Sequence, residues 1–368
     1  MDSPLIEEAD PNPVNLHEYQ VAARNALPIM AFDYIAGGSG DEITLRANRQ
    51  AFDRWRIVPR VLRGVTRPSL ETTVLGSSIS LPVLLAPVGF HRLAHSEGER
   101  ASARAARDAN TILICSTAST YSIEDIAPCA GPWWFQLYIF RDREITRHLI
   151  ERAEAAGASA LVVTVDTPVA GRREADERNR FALPDGVVWA NLQHSVHESM
   201  PATGEGSGLA SYIATSFEPA LDWADLDWLS SLTSLPIILK GILAAEDARL
   251  ALEHGARAII VSNHGGRQLD SAIASLDSLP GIVEAVEKKV EVLMDGGIRR
   301  GTDIVKALAL GARAVLIGRP FIWGLAVGGE AGVKRVLDLL AAELTLDLTL
   351  CGAASVQDVN RSLLVALP

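Results

Sequence analysis

Eight short apolar runs, rich in Val and Ile, recur along this 368-residue chain. They are Leu81–Ala86, Thr111–Ile114, Trp133–Leu137, Ala160–Val165, Pro236–Leu239, Ala258–Val261, Glu291–Met294 and Ala314–Ile317. Runs without polar alternation read as strands buried on both faces, which is how parallel sheets are built. Helical spacing fills most of the gaps, most clearly at Glu99–Ala109, Glu144–Ala156, Ala244–His254 and Thr302–Leu310. This alternation predicts an α/β fold, and eight repeats predict closure into a (βα)₈ TIM barrel. Three junctions repeat one device: Gly157-Ala-Ser-Ala-Leu-Val-Val, Gly255-Ala-Arg-Ala-Ile-Ile-Val and Gly311-Ala-Arg-Ala-Val-Leu-Ile. In each, a glycine ends a helix and a strand begins. A doubly wound sheet would show fewer strands and a phosphate-binding glycine motif after its first one.

The chain is expected to be a single domain over residues 1–368, with residues 1–80 as an N-terminal cap segment of it. That cap is predicted to hold helices near Leu16–Ala26 and Asp41–Phe52 and a hairpin-like stretch at Ser69–Ser80. A long loop follows the fourth strand and ends at a helix near Trp223–Leu232. Its Gly-rich part, Asn191–Gly208, is expected to be mobile, as long loops often are.

Composition narrows the function classes. A net charge of −11 without a Lys/Arg block disfavours binding to nucleic acid. No run of about 18 apolar residues is present, so no membrane span is expected. The acidic start, MDSPLIEEADPNPVN, lacks the pattern of a signal peptide. Cys115, Cys129 and Cys351 form no Cys-x-x-Cys pair, and so read as free thiols in a reducing cytoplasm, with no metal site.

A barrel carries its active site where strands end. The runs end in Pro87-Val88-Gly89, Cys115-Ser116-Thr117, Gln136 and Tyr138, Thr164 and Asp166, Lys240-Gly241, Ser262-Asn-His264-Gly-Gly-Arg267, Asp295-Gly296-Gly297 and Gly318-Arg319. Turns explain the glycines, but not so many titratable groups on one face. Asp295-Gly-Gly-Ile-Arg-Arg-Gly301 leads into a helix and Gly318-Arg319 follows strand eight, so both loops suggest a phosphate site. Gly37-Gly-Ser-Gly40 reads as an ordinary turn.

Lys240 ends an apolar strand and must meet an anion or react. It suits a Schiff base in a phosphate-binding aldolase, a partner for an electron-rich cofactor ring, or a structural ion pair. His264 suits a general base if a carboxylate such as Asp166 steadies its charged form. Arg267 and Arg173 are each able to grip a carboxylate with two hydrogen bonds, although Arg172-Arg173 also suits plain surface charge.

These motifs resemble the FMN-dependent L-2-hydroxy-acid oxidase and dehydrogenase family, which includes glycolate oxidase, lactate oxidase and mandelate dehydrogenase. The likeness runs from about Asn15 to Leu364. It rests on Ser262-Asn-His-Gly-Gly-Arg-Gln-Leu-Asp270, Thr164-Val-Asp-Thr-Pro168 with Gly171-Arg-Arg-Glu174, Trp134-Phe-Gln-Leu-Tyr138, Leu239-Lys-Gly241, Asp295-Gly-Gly-Ile-Arg-Arg-Gly301 and Phe32-Asp-Tyr-Ile-Ala-Gly37. The resemblance implies His264 as the base, Asp166 as its partner, Arg267 and Arg173 as carboxylate clamps, and Tyr34 and Tyr138 as hydroxyls on the substrate. It implies Lys240 at the flavin N1–O2 edge. Pro87, Val88, Gly89, Ser116, Gln136, Thr164 and Ser262 would line the flavin ring. Asp295, Gly296, Gly297, Arg299, Gly318 and Arg319 would hold the ribityl and phosphate end of FMN.

Two positions depart from the plant glycolate oxidase pattern. Ala118 stands where those enzymes have Trp, and Gly89 where many members have Ala. Both remove bulk, so L-lactate or larger acids are expected to outrank glycolate. Segments near Ala272 and Gly318 look closer to bacterial lactate and hydroxy-acid oxidases. The expected acceptor is O₂, giving H₂O₂, or else a quinone or other carrier as in a dehydrogenase. No haem domain is expected before the barrel. The resemblance also implies a cytoplasmic homo-oligomer, a tetramer or an octamer.

Overall fold

The computed structural model of the protein describes residues 12–193 and 207–367. Its centre is a closed barrel of eight parallel strands: β1 (Val83–Leu85), β2 (Leu113–Ser116), β3 (Trp133–Leu137), β4 (Leu161–Thr164), β5 (Ile237–Ile242), β6 (Ala258–Val261), β7 (Glu291–Met294) and β8 (Ala314–Ile317). Each strand pairs with the next, and β8 pairs with β1 to close the ring. Every expected apolar run overlaps one of these strands, and β2 and β5 run on past theirs to Ser116 and Ile242. Alternate residues part company, as a period of two requires. Leu84, Ile114, Trp134, Val162, Ile238, Ile260, Leu293 and Leu316 fill the barrel. Leu85, Phe135, Val163, Leu239 and Ile317 face the helices.

Three helices precede the barrel: α1 (Leu16–Ala26), α2 (Ile29–Ala36) and α3 (Ile43–Asp53). Asn15 caps α1, its side-chain oxygen accepting from the N–H groups of His17 and Glu18. The hairpin of Thr72–Val74 and Ser77–Ile79 pairs antiparallel and drives Val74 and Ile79 into the bottom of the barrel core. Around the barrel lie α4 (Gly98–Asp108), α5 (Arg143–Ala155), α6 (Trp223–Leu232), α7 (Ala245–Glu253), α8 (Ser275–Val286), α9 (Gly301–Ala309) and α10 (Arg319–Cys351). Gly157, Gly255 and Gly311 all have positive φ at the expected junctions. A kink at Gly328 and Gly329 divides α10.

The loop after β4 is less open than expected. It contains short helices at Glu174–Arg178 and Gly208–Ser216 and a turn at Ala190–Leu192. Most of the segment expected to be mobile lies outside the described residues. Its first residue, Asn191, is buried and bonded to Thr117 O and Ser119 Oγ, and Gly208 begins a helix. No helix among the described residues is long and apolar enough to cross a membrane. The described residues hold no cluster of His, Cys, Asp and Glu suited to a metal ion.

Candidate active site

The C-terminal ends of the strands deliver their polar residues to one face. His264 follows β6, and its Nδ1 lies 2.9 Å from Asp166 Oδ1, just past β4. Thr167 donates to the same carboxylate oxygen. Asp166 sits close to Gly241 because glycine leaves room: a Cβ there would lie 2.7 Å from the Asp166 Cβ. Burial raises the Asp166 carboxyl, but His264, Lys240 and Thr167 outweigh it, so its pKa falls below the usual range. Burial lowers His264, and Lys240 and Arg267 add to this against the pull of Asp166. The pair is therefore a carboxylate facing a neutral imidazole. With Nδ1–H engaged by Asp166, Nε2 is left with the lone pair, an assignment made from the hydrogen bonds.

Two guanidiniums stand nearby. Arg267 Nη1 donates to the carbonyls of Tyr34 and Gly37, and its Cζ lies 5.0 Å from the Tyr34 ring centre. Burial lowers the Arg267 pKa, and Arg173 lowers it further, so the two cations feel each other. Arg173 is buried rather than solvated. Its Nε donates to Asp176 Oδ2 at 2.7 Å, with side chains only 8% and 2% exposed. That bond leaves the two terminal nitrogens of Arg173 for another partner. Tyr34 stacks on Phe181 and Tyr138 on Phe217. Burial raises both phenols, so both stay protonated donors at neutral pH.

Beside this group lies a cavity that opens on the same face. Its walls include Pro87, Val88, Lys240, His264, Arg267, Asp295, Gly296, Gly297, Arg299, Gly318 and Arg319. Lys240 Nζ donates to Ser262 Oγ and lies 3.4 Å from Asp295 Oδ2. The Asp295 carboxylate beside it makes Lys240 one half of a buried ion pair. Ser116 and Gln136 are bonded to each other through Gln136 Oε1, and Thr164 lies beside Lys240 in the barrel register.

The expected FMN fits this face of the barrel on two observations. Gln136 Nε2 and Asp295 Oδ1 are buried with no hydrogen-bond partner among the described residues. Such groups are costly unless a ligand meets them. Arg319 is pushed down to about 9 by burial, Arg267 and Arg299, and Arg299 to about 10 by burial and Arg49. Both remain cations in a place that calls for an anion such as phosphate. Separately, Gly297 has φ +88°, and a Cβ there would lie 2.1 Å from Asn48 O, so only glycine lets this loop pack on α3.

One detail differs from expectation. The start of α9 does not offer its N–H groups to phosphate, because Asp303 Oδ2 accepts from the N–H of Arg299 and of Arg300. The helix N-terminus facing the cavity is that of α10, whose first residues, Arg319 and Pro320, line it. Gly37 is also more than a turn residue: its carbonyl accepts from both Arg267 and Arg319.

Asp176 and Trp189 escape the motif analysis. Asp176 had a signal, an acidic residue three positions after Arg173 on a helical stretch. Trp189 had none beyond being a lone Trp in a loop. Its Nε1 donates to Thr117 O, beside Ala118. The Gly89 wall is as narrow as its residue: a Cβ at 89 would lie 3.1 Å from the Ala118 Cβ and 3.4 Å from the Tyr34 hydroxyl.

Residues 23–366 match the FMN-dependent dehydrogenases. The chain is 54% identical to L-lactate oxidase of Nostoc sp. over 358 residues, 96% of this chain and 98% of that protein. It is 47% identical to human 2-hydroxyacid oxidase 1, covering 96% of each. The structure superposes on crystalline mandelate oxidase with (S)-4-hydroxymandelic acid at a TM-score of 0.91. That match has 46% identity and covers 96% of this chain and 99% of the other.

Proposed function

The chain belongs to the FMN-dependent dehydrogenase family, and on that premise we propose which residues oxidise its substrate and which acid it prefers. It is an FMN-dependent enzyme that oxidises L-2-hydroxy acids to 2-oxo acids. The observation that carries the assignment of roles is the buried His264–Asp166 pair set among Arg267, Arg173 and Lys240.

Arg267 and Arg173 bind the substrate carboxylate, each guanidinium donating a planar pair of N–H groups. Tyr34 and Tyr138 orient the acid from either side through their hydroxyls. His264 takes the substrate hydroxyl proton on Nε2, and Asp166 stabilises the imidazolium that results. The chemistry that FMN would supply, when bound, is a hydride acceptor for the substrate Cα–H bond, taking its hydrogen together with its electron pair. Lys240 would sit against its ring, and Ser116, Gln136 and Thr164 would meet its polar edge. Gly297, Arg299 and Arg319 would hold its phosphate.

O₂ is the proposed acceptor, supported by the oxidases among the relatives. The preferred acids are L-lactate and longer aliphatic homologues over glycolate, supported by Ala118, whose side chain is only a methyl group at this wall. Self-assembly is part of the same proposal, and Val61 and Leu62, exposed on one loop, are the apolar residues that offer a contact for it. The test is O₂ uptake with L-lactate, D-lactate and glycolate, with peroxide measured alongside. Peroxide formed one-for-one with L-lactate, and none with D-lactate, is the expected result. Turnover only with an added quinone or dye would make the enzyme a dehydrogenase.

A further inference from the structure

Gly89 and Ala118 carry little bulk, and the structure brings a large ring to the neighbouring Thr117 from elsewhere in the chain. Trp189 lies in the loop after β4. Four hydrogen bonds tie its segment to the residues on either side of Ala118. Trp189 Nε1 and Asn191 Nδ2 both donate to Thr117 O, and the N–H of Ala190 donates to Ser119 O. Asn191 Nδ2 also donates to Ser119 Oγ at 2.8 Å. The indole is buried.

The ring also joins two aromatic stacks. It meets Phe90 edge-on at 5.6 Å, and Phe90 lies 5.9 Å from Tyr34. On its other side it approaches Phe217 at 6.3 Å, and Phe217 stacks on Tyr138 at 4.6 Å. Tyr34, Phe90, Trp189, Phe217 and Tyr138 thus form an arc that begins and ends at the two substrate tyrosines and passes over the Ala118 loop. A ring pinned by its N–H and packed on both sides has few other positions open to it.

We propose that Trp189 sets the upper size limit for the substrate side chain, supplying from the β4 loop the bulk that Ala118 and Gly89 leave out. The inference rests on the hydroxy-acid reading above and sharpens it. The substrate class becomes short aliphatic L-2-hydroxy acids, with aromatic acids held back by the indole. Ala118 and Trp189 then share one space, so their substitutions should not act independently.

The experiment compares kcat/KM for L-lactate and L-mandelate in wild type, Trp189→Leu and Trp189→Phe, each purified with FMN bound. Removing the indole should raise the mandelate-to-lactate ratio about tenfold or more in Trp189→Leu, with a smaller rise in Trp189→Phe. General loss of packing would lower both values together and leave the ratio unmoved. Trp189→Phe keeps an aromatic ring in the arc and serves where the leucine variant does not fold. A ratio within about twofold of wild type in the folded variants overturns the inference while the hydroxy-acid reading stands. A wild-type enzyme that oxidises neither acid overturns both.

Discussion

His264 Nδ1 stands 2.9 Å from Asp166 Oδ1 across the barrel mouth, and the histidine backbone is held at φ +58°. A left-handed backbone is uncommon for a residue other than glycine, and such conformations gather at functional sites. The N–H of His264 donates to Ser262 Oγ, the same hydroxyl that receives Lys240 Nζ. Base, carboxylate and lysine are thus held in one network.

The state of this pair sets the pH dependence. Burial keeps the His264 pKa below 6.5, so the imidazole is neutral at neutral pH and able to accept a proton. As pH falls through that lowered value it becomes protonated and activity is lost. The acid limb of kcat/KM for L-lactate should therefore lie below 6.5. Asp166 holds the histidine value up, so Asp166→Asn should move the limb lower still as well as reducing kcat. A limb that moves upward in Asp166→Asn would contradict the pairing.

Arg267→Lys keeps the charge and loses the planar arrangement of donors. The loss of one charge-assisted hydrogen bond is worth about 1.5–3 kcal/mol, or roughly 10–100-fold. kcat/KM for L-lactate should fall by about that factor while FMN content stays near wild type. Unchanged kcat/KM would place the carboxylate clamp at Arg173 alone.

Asp176 holds Arg173 through Nε. Asp176→Asn keeps the shape and removes the charge, so Arg173 loses its fixed direction. The expected outcome is a rise in KM for L-lactate of about tenfold, with a smaller change in kcat. Steady-state kinetics checks it, and a fall in kcat at constant KM would argue against a role in aiming the clamp.

The barrel and most of the candidate site were legible in the sequence because both follow from local signals. Each buried strand is a continuous apolar run, and each ends in the residue that reaches the site. Helix α2 was harder to read. Ile29–Ala36 is apolar around most of its girth, so no 3.6-residue pattern marks it, yet it carries Tyr34. Helix α8 has Pro280 within it and buries most of its surface, which hides both propensity and period. Trp189 and Asp176 depend on which loops meet in space. Asp176 lies three residues from its partner, whereas Trp189 and Thr117 are 72 residues apart. No local pattern encodes such a contact.

Gly297→Ala tests how the cofactor-side loop packs on α3. Its Cβ would collide with Asn48 O, and the backbone is at φ +88°. The folded chain should lose about 1–3 kcal/mol of stability. Denaturant unfolding of the variant beside wild type measures it, and wild-type stability would show that the loop accepts a side chain without strain.

The central claim is that His264 removes the substrate proton from a bound L-2-hydroxy acid. Its most direct test is anaerobic rapid mixing of FMN-loaded protein with L-lactate, following loss of flavin absorbance in wild type and His264→Ala. The account predicts rapid bleaching in wild type. In the variant, with FMN still bound, bleaching should be slower by about 10²–10⁴-fold or more. Bleaching of His264→Ala at a rate near wild type would contradict it.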